Sequence, residues 1–213
     1  MSRPRVLLAD DHPILAEGLR GLLEPEFEVI GVVADGRELV STAKKERPDV
    51  IVSDVAMPLL NGIDAAVQLR DAGVKAKVVF LTMHREVEYA RRAMEVGAAG
   101  FVLKQSVAAE LLTAVREALK GQTYVTPMIA RELIQSCLKG GSPSDDPMHQ
   151  LTMRQREVLQ LFAEGRSAKE VAAVLKISIR TAEAHKAHIL ESLGLSSTAE
   201  LVRYAIRNGI ISV

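Results

Sequence analysis

The sequence predicts an α/β domain followed by an all-helical module. Through the first 120 residues, short continuous runs of Val, Ile and Leu alternate with amphipathic stretches, a pattern typical of parallel strands covered on both faces. A segment rich in Gly, Ser, Pro and Asp at 140–150 has the composition of a flexible linker. The residues beyond it carry no strand pattern, and 213 residues are enough for two compact units.

The first part contains five strand–helix pairs. Its predicted strands are 6–10, 28–34, 50–56, 78–83 and 100–104, and the helices that follow them are 14–23, 37–45, 62–73, 86–97 and 108–121. Right-handed crossovers place such helices on both faces of the sheet. We therefore expect a five-stranded, doubly wound, flavodoxin-like sheet in the order 2-1-3-4-5. Residues 122–138 predict a further helix.

The last part predicts four helices. Three of them begin with a Ser/Thr-x-x-Glu/Gln capping box, in which two side chains reciprocally satisfy free backbone N–H groups. These boxes are Thr152 with Gln155, Ser167 with Glu170, and Ser197 with Glu200. The remaining helix begins near Ser178 and ends at Gly194. The predicted division is a domain at 3–121, a linker helix and flexible linker at 122–149, and a helical domain at 150–213.

Composition excludes several classes of protein. A hydrophobic content of 48% and a charged content of 25% are average for globular chains and exclude a disordered or fibrous one. The single cysteine, Cys137, allows no internal disulfide, and the sequence has no CxxC pair of the kind that forms zinc sites. We therefore expect a reducing, cytoplasmic location. The first residues contain no signal peptide, and no run of about 18 apolar residues predicts a membrane span.

The net charge of zero conceals a difference between the two parts. Lys and Arg number 27, as do Asp and Glu. Residues 1–120 have a net charge of −2, residues 121–149 of −1 and residues 150–213 of +3. The helical part is therefore modestly basic, which the net charge of the whole chain conceals.

Polar residues follow four of the five apolar strands. They are Asp10 and Asp11, Asp54, Thr82, and Lys104. Because ligands bind beyond the carboxyl ends of parallel strands, we expect these side chains to converge. Three neighbouring carboxylates repel one another unless a cation neutralises them, and oxygen ligands without His or Cys nearby favour Mg²⁺ or another divalent cation. The alternative is that the aspartates only cap the helices that follow.

Such a site suits phosphoryl chemistry. A carboxylate beside a bound metal can attack phosphorus and give an aspartyl phosphate, while the metal and Lys104 absorb developing charge.

This part of the chain resembles the receiver domain of bacterial two-component response regulators. The matching residues are the pair Asp10-Asp11, the segment SDVAMPLLNG with Asp54, Met57, Pro58 and Gly62, then Thr82 in LTM and Lys104 in FVLK. The resemblance spans residues 3–120. It implies that Asp54 is phosphorylated, with Thr82 and Lys104 contacting the phosphoryl group. It departs from many receivers at Gln105, where they have proline.

The resemblance also implies the ligands and the switch. Asp11, Asp54 and the backbone carbonyl of Ala56 would hold the metal, with Asp10 acting through water. Phe101 would be the aromatic residue that turns inward when Thr82 moves. A phosphoryl group adds about −1.5 to −2 charge, enough to bias a two-state loop.

The helical part has a tight turn at Lys176-Ile177-Ser178, which suggests helix-turn-helix. On the helix that follows, helical spacing turns Ala182, Ile189 and Leu193 to the core. From geometry alone, a plain helical interaction module is as good an interpretation as DNA binding.

The helical part is similar to the LuxR-type helix-turn-helix, with L-T-x-R-Q-x-E-V-L from Leu151, G-x-S-x-K-E-V-A from Gly165 and I-S-x-x-T-x-E-x-H from Ile177. This resemblance implies a recognition helix at 179–193. It implies phosphate contacts from Lys169, Thr181 and Lys186, and base contacts from Arg180, Glu183, Ala184 and Ala187. Weak readout per monomer predicts binding as a dimer to paired half-sites.

Together the two parts resemble the NarL/FixJ family of response regulators. We expect a transcription regulator that a histidine kinase phosphorylates at Asp54, that binds double-stranded DNA and that dimerises when phosphorylated. It would be no enzyme beyond its own phosphorylation and dephosphorylation. The alternatives are a regulator that works without phosphorylation and an Asp-nucleophile phosphohydrolase; the latter is disfavoured because Ala56 stands where a general acid would be.

Overall fold

A computed structural model describes residues 3–83, 87–138 and 150–211 of the chain. The chain divides into two compact units, Met1–Gly140 and Gly141–Val213. All but the last residue of the linker predicted at 140–150 lies outside the described residues.

The first unit is a parallel sheet with helices on both faces. Its strands are β1 (Arg5–Ala9), β2 (Glu28–Val33), β3 (Val50–Asp54), β4 (Lys77–Thr82), β5 (Gly100–Leu103) and β6 (Tyr124–Val125). Its helices are α1 (Pro13–Leu23), α2 (Gly36–Glu46), α3 (Gly62–Asp71), α4 (Val87–Glu95), α5 (Val107–Leu119) and α6 (Pro127–Leu138). The strand order is β2-β1-β3-β4-β5-β6, which confirms the predicted doubly wound topology.

The prediction of five strands was wrong by one. Tyr124 and Val125 pair in parallel with β5, and α6 begins only at Pro127. Proline suits the first helical position but disfavours helical geometry in the residue before it, so the helix cannot extend back over 122–126. The aromatic and β-branched pair in front of Thr126 instead extends the sheet.

The core lies on both faces of the sheet, because side chains alternate along each strand. Val6 and Leu8 of β1 face a cluster completed by residues of α1 and α5, including Leu19 and Leu111. Leu7 faces the opposite cluster, which α2 and α3 close. A third cluster joins β4 and β5 to α4 and α6. Burial on both faces explains the uninterrupted apolar runs.

The described residues of the second unit, 150–211, form four α-helices, as predicted. They are α7 (Met153–Ala163), α8 (Ala168–Leu175), α9 (Ile179–Ser192) and α10 (Thr198–Arg207). The capping boxes at Thr152 and Ser167 are confirmed. At Ser197 the side chain caps α10, but the carboxylate of Glu200 accepts from the N–H of Ser196 instead, at 2.6 Å. A left-handed Lys176 (φ +54°) ends α8 and makes the turn into α9.

Candidate functional site

The ends of four strands lie side by side at one edge of the sheet. The register pairs Ala9 with Ser53, Asp54 with Leu81, and Thr82 with Leu103. Asp10 follows Ala9 directly and Lys104 follows Leu103 directly. The topology therefore brings together Asp10, Asp54, Thr82 and Lys104, although up to 94 positions separate them in the sequence.

The Lys104 ammonium bridges two carboxylates. Its Nζ lies 2.6 Å from Asp54 Oδ2 and 2.8 Å from Asp10 Oδ2. All three side chains are buried, with exposed fractions of 5% for Lys104, 7% for Asp54 and none for Asp10. A cation held this closely partly neutralises the acidic pair without metal.

Burial raises the pKa of Asp54 to about 6, and repulsion from Asp10 and Asp11 adds to this rise, which Lys104 partly offsets. For Lys104, burial opposes the charge, but the carboxylates of Asp54 and Asp10 outweigh it and raise the pKa above its usual value. At neutral pH the site therefore holds a charged lysine and a predominantly ionised, desolvated Asp54.

The acidic residues also form a compact set of metal ligands. One ligand atom from each of Asp10, Asp11, His12 and Asp54 lies within 4.8 Å of the others. This donor set fits a divalent cation, because carboxylate oxygens dominate it. The backbone N–H of Ala56 lies 3.4 Å from Asp54 Oδ1, which keeps that residue beside the cluster.

The expectation that no histidine lies near these oxygens was wrong. His12 Nδ1 lies 3.0 Å from Asp11 Oδ1 and 3.3 Å from Asp10 Oδ1, and 60% of the His12 side chain is exposed. The backbone N–H of His12 also donates to Asp10 Oδ1 at 2.9 Å. The signal was present in the sequence, since His12 directly follows the acidic pair.

Thr82 and Phe101, the two predicted switch residues, are both buried on neighbouring strands. Thr82 is buried at the end of β4. Phe101 is fully buried, pairs across the sheet with Phe80 and packs with Tyr89 of α4. The aromatic side chain is therefore turned inward in this structure, while Gln105 lies in the short 3-10 turn Lys104–Ser106.

Gly62 and Gly36, to which the sequence alone assigned no role, leave room for the backbone of the loop after Asp54. A Cβ on Gly62 would lie 2.1 Å from the carbonyl oxygen of Asp54, and one on Gly36 would lie 1.8 Å from that of Leu60. Asn61 is buried, caps α3 and donates to Asp64. Close packing of α3 on the end of β3 thus explains the Gly62 of the receiver motif.

In the second unit, α9 presents a continuous exposed surface. The exposed residues are Ile179, Arg180, Thr181, Glu183, Ala184, Ala187, His188 and Glu191. Ala182 and Ile189 are buried and Leu193 is half-buried, as predicted. Lys169 of α8 is also exposed. The surface combines one arginine with small side chains, which lets a helix approach base edges closely.

Two of the predicted phosphate contacts already have partners. The ammonium of Lys186 lies 4.6 Å from the centroid of the Phe162 ring, a cation–π geometry. The Thr181 hydroxyl lies 2.7 Å from that of Ser178. Arg154 joins α7 to the end of α8, because it donates to the Leu175 carbonyl at 2.6 Å. No helix among the described residues is long and apolar enough to cross a membrane.

Comparison with known proteins yields matches to both units. A family model described as "Response regulator receiver domain" matches residues 6–116, and one described as "Bacterial regulatory proteins, luxR family" matches 149–205. The Staphylococcus aureus "Oxygen regulatory protein NreC" is 34% identical over 97% of this chain and 99% of its own.

Solved structures give the same result. RcsB from Salmonella enterica serovar Typhimurium, bound to promoter P1flhDC with the phosphomimetic BeF₃⁻, is 28% identical with a TM-score of 0.64, covering 95% of this chain and 98% of its own. A LuxR-family two-component response regulator from Aurantimonas sp. is 36% identical with a TM-score of 0.62, covering 64% and 99%. Another RcsB structure is described as two dimers bound to two parallel DNAs.

Proposed function

Because the chain belongs to the NarL/FixJ family of response regulators, we propose that Asp54 is the residue whose phosphorylation controls it. The protein is a phosphorylation-dependent transcription regulator with a receiver domain and a LuxR-type DNA-binding domain. The observation that carries the assignment of Asp54 is its contact with Lys104 at 2.6 Å, inside a buried acidic cluster.

The proposed reaction is transfer of a phosphoryl group to an Asp54 carboxylate oxygen. The donor is a phosphohistidine of a histidine kinase. A bond forms between the Asp54 oxygen and phosphorus as the phosphorus–nitrogen bond breaks, and its electron pair stays on the imidazole of the donor. Lys104 stabilises the charge on the phosphoryl oxygens, and Thr82 donates a hydrogen bond to them. Attack by water on the aspartyl phosphate restores the carboxylate and releases phosphate.

A divalent cation, Mg²⁺ in our proposal, would neutralise charge on the phosphoryl oxygens when bound. Asp11, Asp54 and the carbonyl of Ala56 would hold it directly, and Asp10 through water. Lys104 ion-pairs with both Asp10 and Asp54, so this lysine keeps the acidic residues together when no cation is bound.

The output is DNA binding by α9. We propose that Arg180, Glu183, Ala184 and Ala187 lie nearest the bases and that Lys169, Thr181 and Lys186 contact phosphates, with Lys186 leaving the Phe162 ring. We further propose that two phosphorylated copies bind paired half-sites. Phe101 and Thr82 would link the phosphoryl group to this assembly. Action on genomic DNA would place the protein in the cytoplasm.

Treatment with a small acyl phosphate and Mg²⁺ tests the assignment. We expect wild type to gain the mass of one phosphoryl group, which base removes, and Asp54→Asn to gain none. The matched control is Asp64→Asn, because Asp64 is also buried but lies in α3, where its backbone N–H donates to the capping side chain of Asn61. Equal labelling of wild type and Asp54→Asn would exclude Asp54 as the acceptor.

A further inference from the structure

Thr126 joins three elements next to the phosphoryl site. Its hydroxyl accepts a hydrogen bond from the N–H of Leu103 at 3.2 Å and donates one to Glu110 Oε2 at 2.6 Å. Its own N–H donates to the Phe101 carbonyl at 3.0 Å. The residue is 3% exposed. One buried side chain thus connects β5, α5 and the beginning of α6.

Helix capping does not explain this arrangement. The N–H of Ala130 donates to the Thr126 carbonyl at 3.0 Å, which makes Thr126 the residue before the first turn of α6. A threonine there ordinarily accepts from an N–H of that turn. Among the described residues, both hydrogen bonds of the Thr126 hydroxyl go to other elements.

The contact with Leu103 lies one residue from Lys104. Leu103 ends β5, and Lys104 begins the 3-10 turn that follows. Because β6 ends at Val125, the Thr126 hydroxyl supplies the acceptor that this short strand does not offer to the Leu103 N–H. The direction of the Lys104 side chain depends on the backbone at this point.

The carboxylate of Glu110 fixes the hydroxyl in turn. Because the hydroxyl proton is donated to Glu110, an oxygen lone pair is left for the Leu103 N–H. A charged acceptor makes this the stronger of the two bonds, consistent with its length of 2.6 Å. The chain of contacts therefore runs from Glu110 through Thr126 to the backbone that carries Lys104.

We propose that Thr126, oriented by Glu110, is a positioning residue for phosphoryl transfer at Asp54. It holds the backbone at Leu103 so that the Lys104 ammonium meets the phosphoryl oxygens. This proposal rests on the proposed function of Asp54. Through Lys104, it links the start of α6 to the chemistry of the site.

The test compares phosphorylation rates at saturating acyl phosphate and Mg²⁺. Thr126→Val keeps the shape of the side chain and removes both hydrogen bonds, so we expect the rate to fall about tenfold. Thr126→Ser keeps the hydroxyl and stays within about twofold of wild type. Thr113→Val, on the exposed face of α5, is the matched control and leaves the rate unchanged. The dissociation constant for Mg²⁺ is measured for each variant so that all rates are compared at saturation, because a displaced Lys104 also changes its contacts with Asp10 and Asp54.

A double-mutant cycle separates positioning from loss of stability. In a Lys104→Ala background, Thr126→Val has no further effect on the rate if it acts through Lys104. An undiminished loss in that background would overturn the proposal, as would a wild-type rate in Thr126→Val. Glu110→Gln weakens the bond to the hydroxyl and lowers the rate about two- to threefold, which provides a second variant if Thr126→Val fails to fold.

The two proposals fail in different ways. If wild type is not phosphorylated at all, the proposed function is wrong and the role of Thr126 falls with it. If wild type is phosphorylated and Thr126→Val reacts equally fast, only the positioning role is wrong.

Discussion

The burial of the Asp54 carboxylate has a cost in stability. Its oxygens are desolvated beside Asp10 and Asp11, so the charged form is disfavoured despite Lys104. A divalent cation or a phosphoryl group arriving at this position meets a carboxylate with little competing hydration. The desolvated carboxylate therefore favours the binding of a cation at this site.

The stability of the metal-free protein should depend on the ionisation of Asp54. The pKa of Asp54 is about 6 in the folded chain, compared with the ordinary value of 3.8 for an aspartate in the unfolded chain. A raised pKa contributes stability that is fully present below about pH 4 and is lost as the pH rises through 6. With EDTA present, we expect the unfolding free energy of wild type, relative to Asp54→Asn, to fall by roughly 2 kcal/mol between pH 4 and 7.

Chemical denaturation of both proteins across this range measures the difference. The amide side chain of the Asp54→Asn variant cannot ionise, so the titrations of groups that do not interact with Asp54 cancel. Mg²⁺ at pH 7 should restore most of the lost stability in wild type only. A pH-independent difference between the two proteins would show that Asp54 ionises as in solvent.

Gly62 is the residue whose small size the site needs most. Gly62→Ala places a methyl group 2.1 Å from the carbonyl oxygen of Asp54, where only backbone can yield. We expect a loss of at least about 2 kcal/mol in unfolding free energy. Gly18→Ala in α1 is the matched control, because its Cβ meets nothing within 4 Å and helix propensity should stabilise it by about 0.5–1 kcal/mol. Thermal unfolding of both variants gives the comparison, and two equal shifts would contradict the packing argument.

At the scale of the element, α9 has few charges with which to hold DNA. Its exposed surface combines Arg180 with Glu183 and two alanines. Lys186 lies over Phe162, so it must leave the ring or reach from it to contact a phosphate. Much of the electrostatic attraction should then come from neighbouring elements such as α8.

Lys169→Ala tests this contribution from α8. If Lys169 neutralises one phosphate, the slope of log affinity against log salt should become less negative by about 0.9. Arg203→Ala, on the exposed surface of α10, serves as the control and should leave the slope unchanged. Fluorescence anisotropy of a labelled duplex over a salt series measures both slopes. An unchanged slope for the Lys169→Ala variant would show that Lys169 does not contact a DNA phosphate.

Secondary structure was predictable where the pattern is local. Apolar runs predicted the strands. The position of polar residues at four strand ends predicted the site at the edge of the sheet, which is formed by Asp10, Asp54, Thr82 and Lys104. The two-residue strand β6 has no periodicity of its own, and only its pairing with β5 defines it. The contact of Lys186 with Phe162 likewise depends on how α7 packs against α9.

At the scale of the whole molecule, the two units differ in charge. The receiver domain is slightly acidic, and the helix-turn-helix domain is slightly basic. A net charge of +3 on residues 150–213 is small for a DNA-binding domain, so one copy should bind weakly. Phosphorylation can strengthen binding without any new contact to DNA if it pairs two copies, because the second then binds intramolecularly.

Phosphorylation should therefore raise affinity and association together. We expect acyl phosphate treatment to increase wild-type affinity for a cognate duplex at least about tenfold and to shift sedimentation toward a dimer. Asp54→Asn should show neither change. If the phosphorylated protein binds DNA more tightly but stays monomeric, phosphorylation acts by unmasking α9. If the Asp54→Asn substitution does not change DNA affinity, the protein is a regulator that works without phosphorylation.

The strand β6 also decides where the first unit can be cut. Its backbone covers the edge of β5, where the N–H groups of Tyr124 and Thr126 donate to Ala99 and Phe101. A fragment ending at residue 121 would leave that edge open beside the fully buried Phe101, and an open, apolar edge recruits strands from other molecules. We expect such a fragment to self-associate, whereas one that ends after α6 keeps β5 covered by β6; size-exclusion chromatography of the two fragments measures the difference. β6 and α6 therefore complete the first unit, although the four strand ends that form the candidate site all lie before them in the sequence.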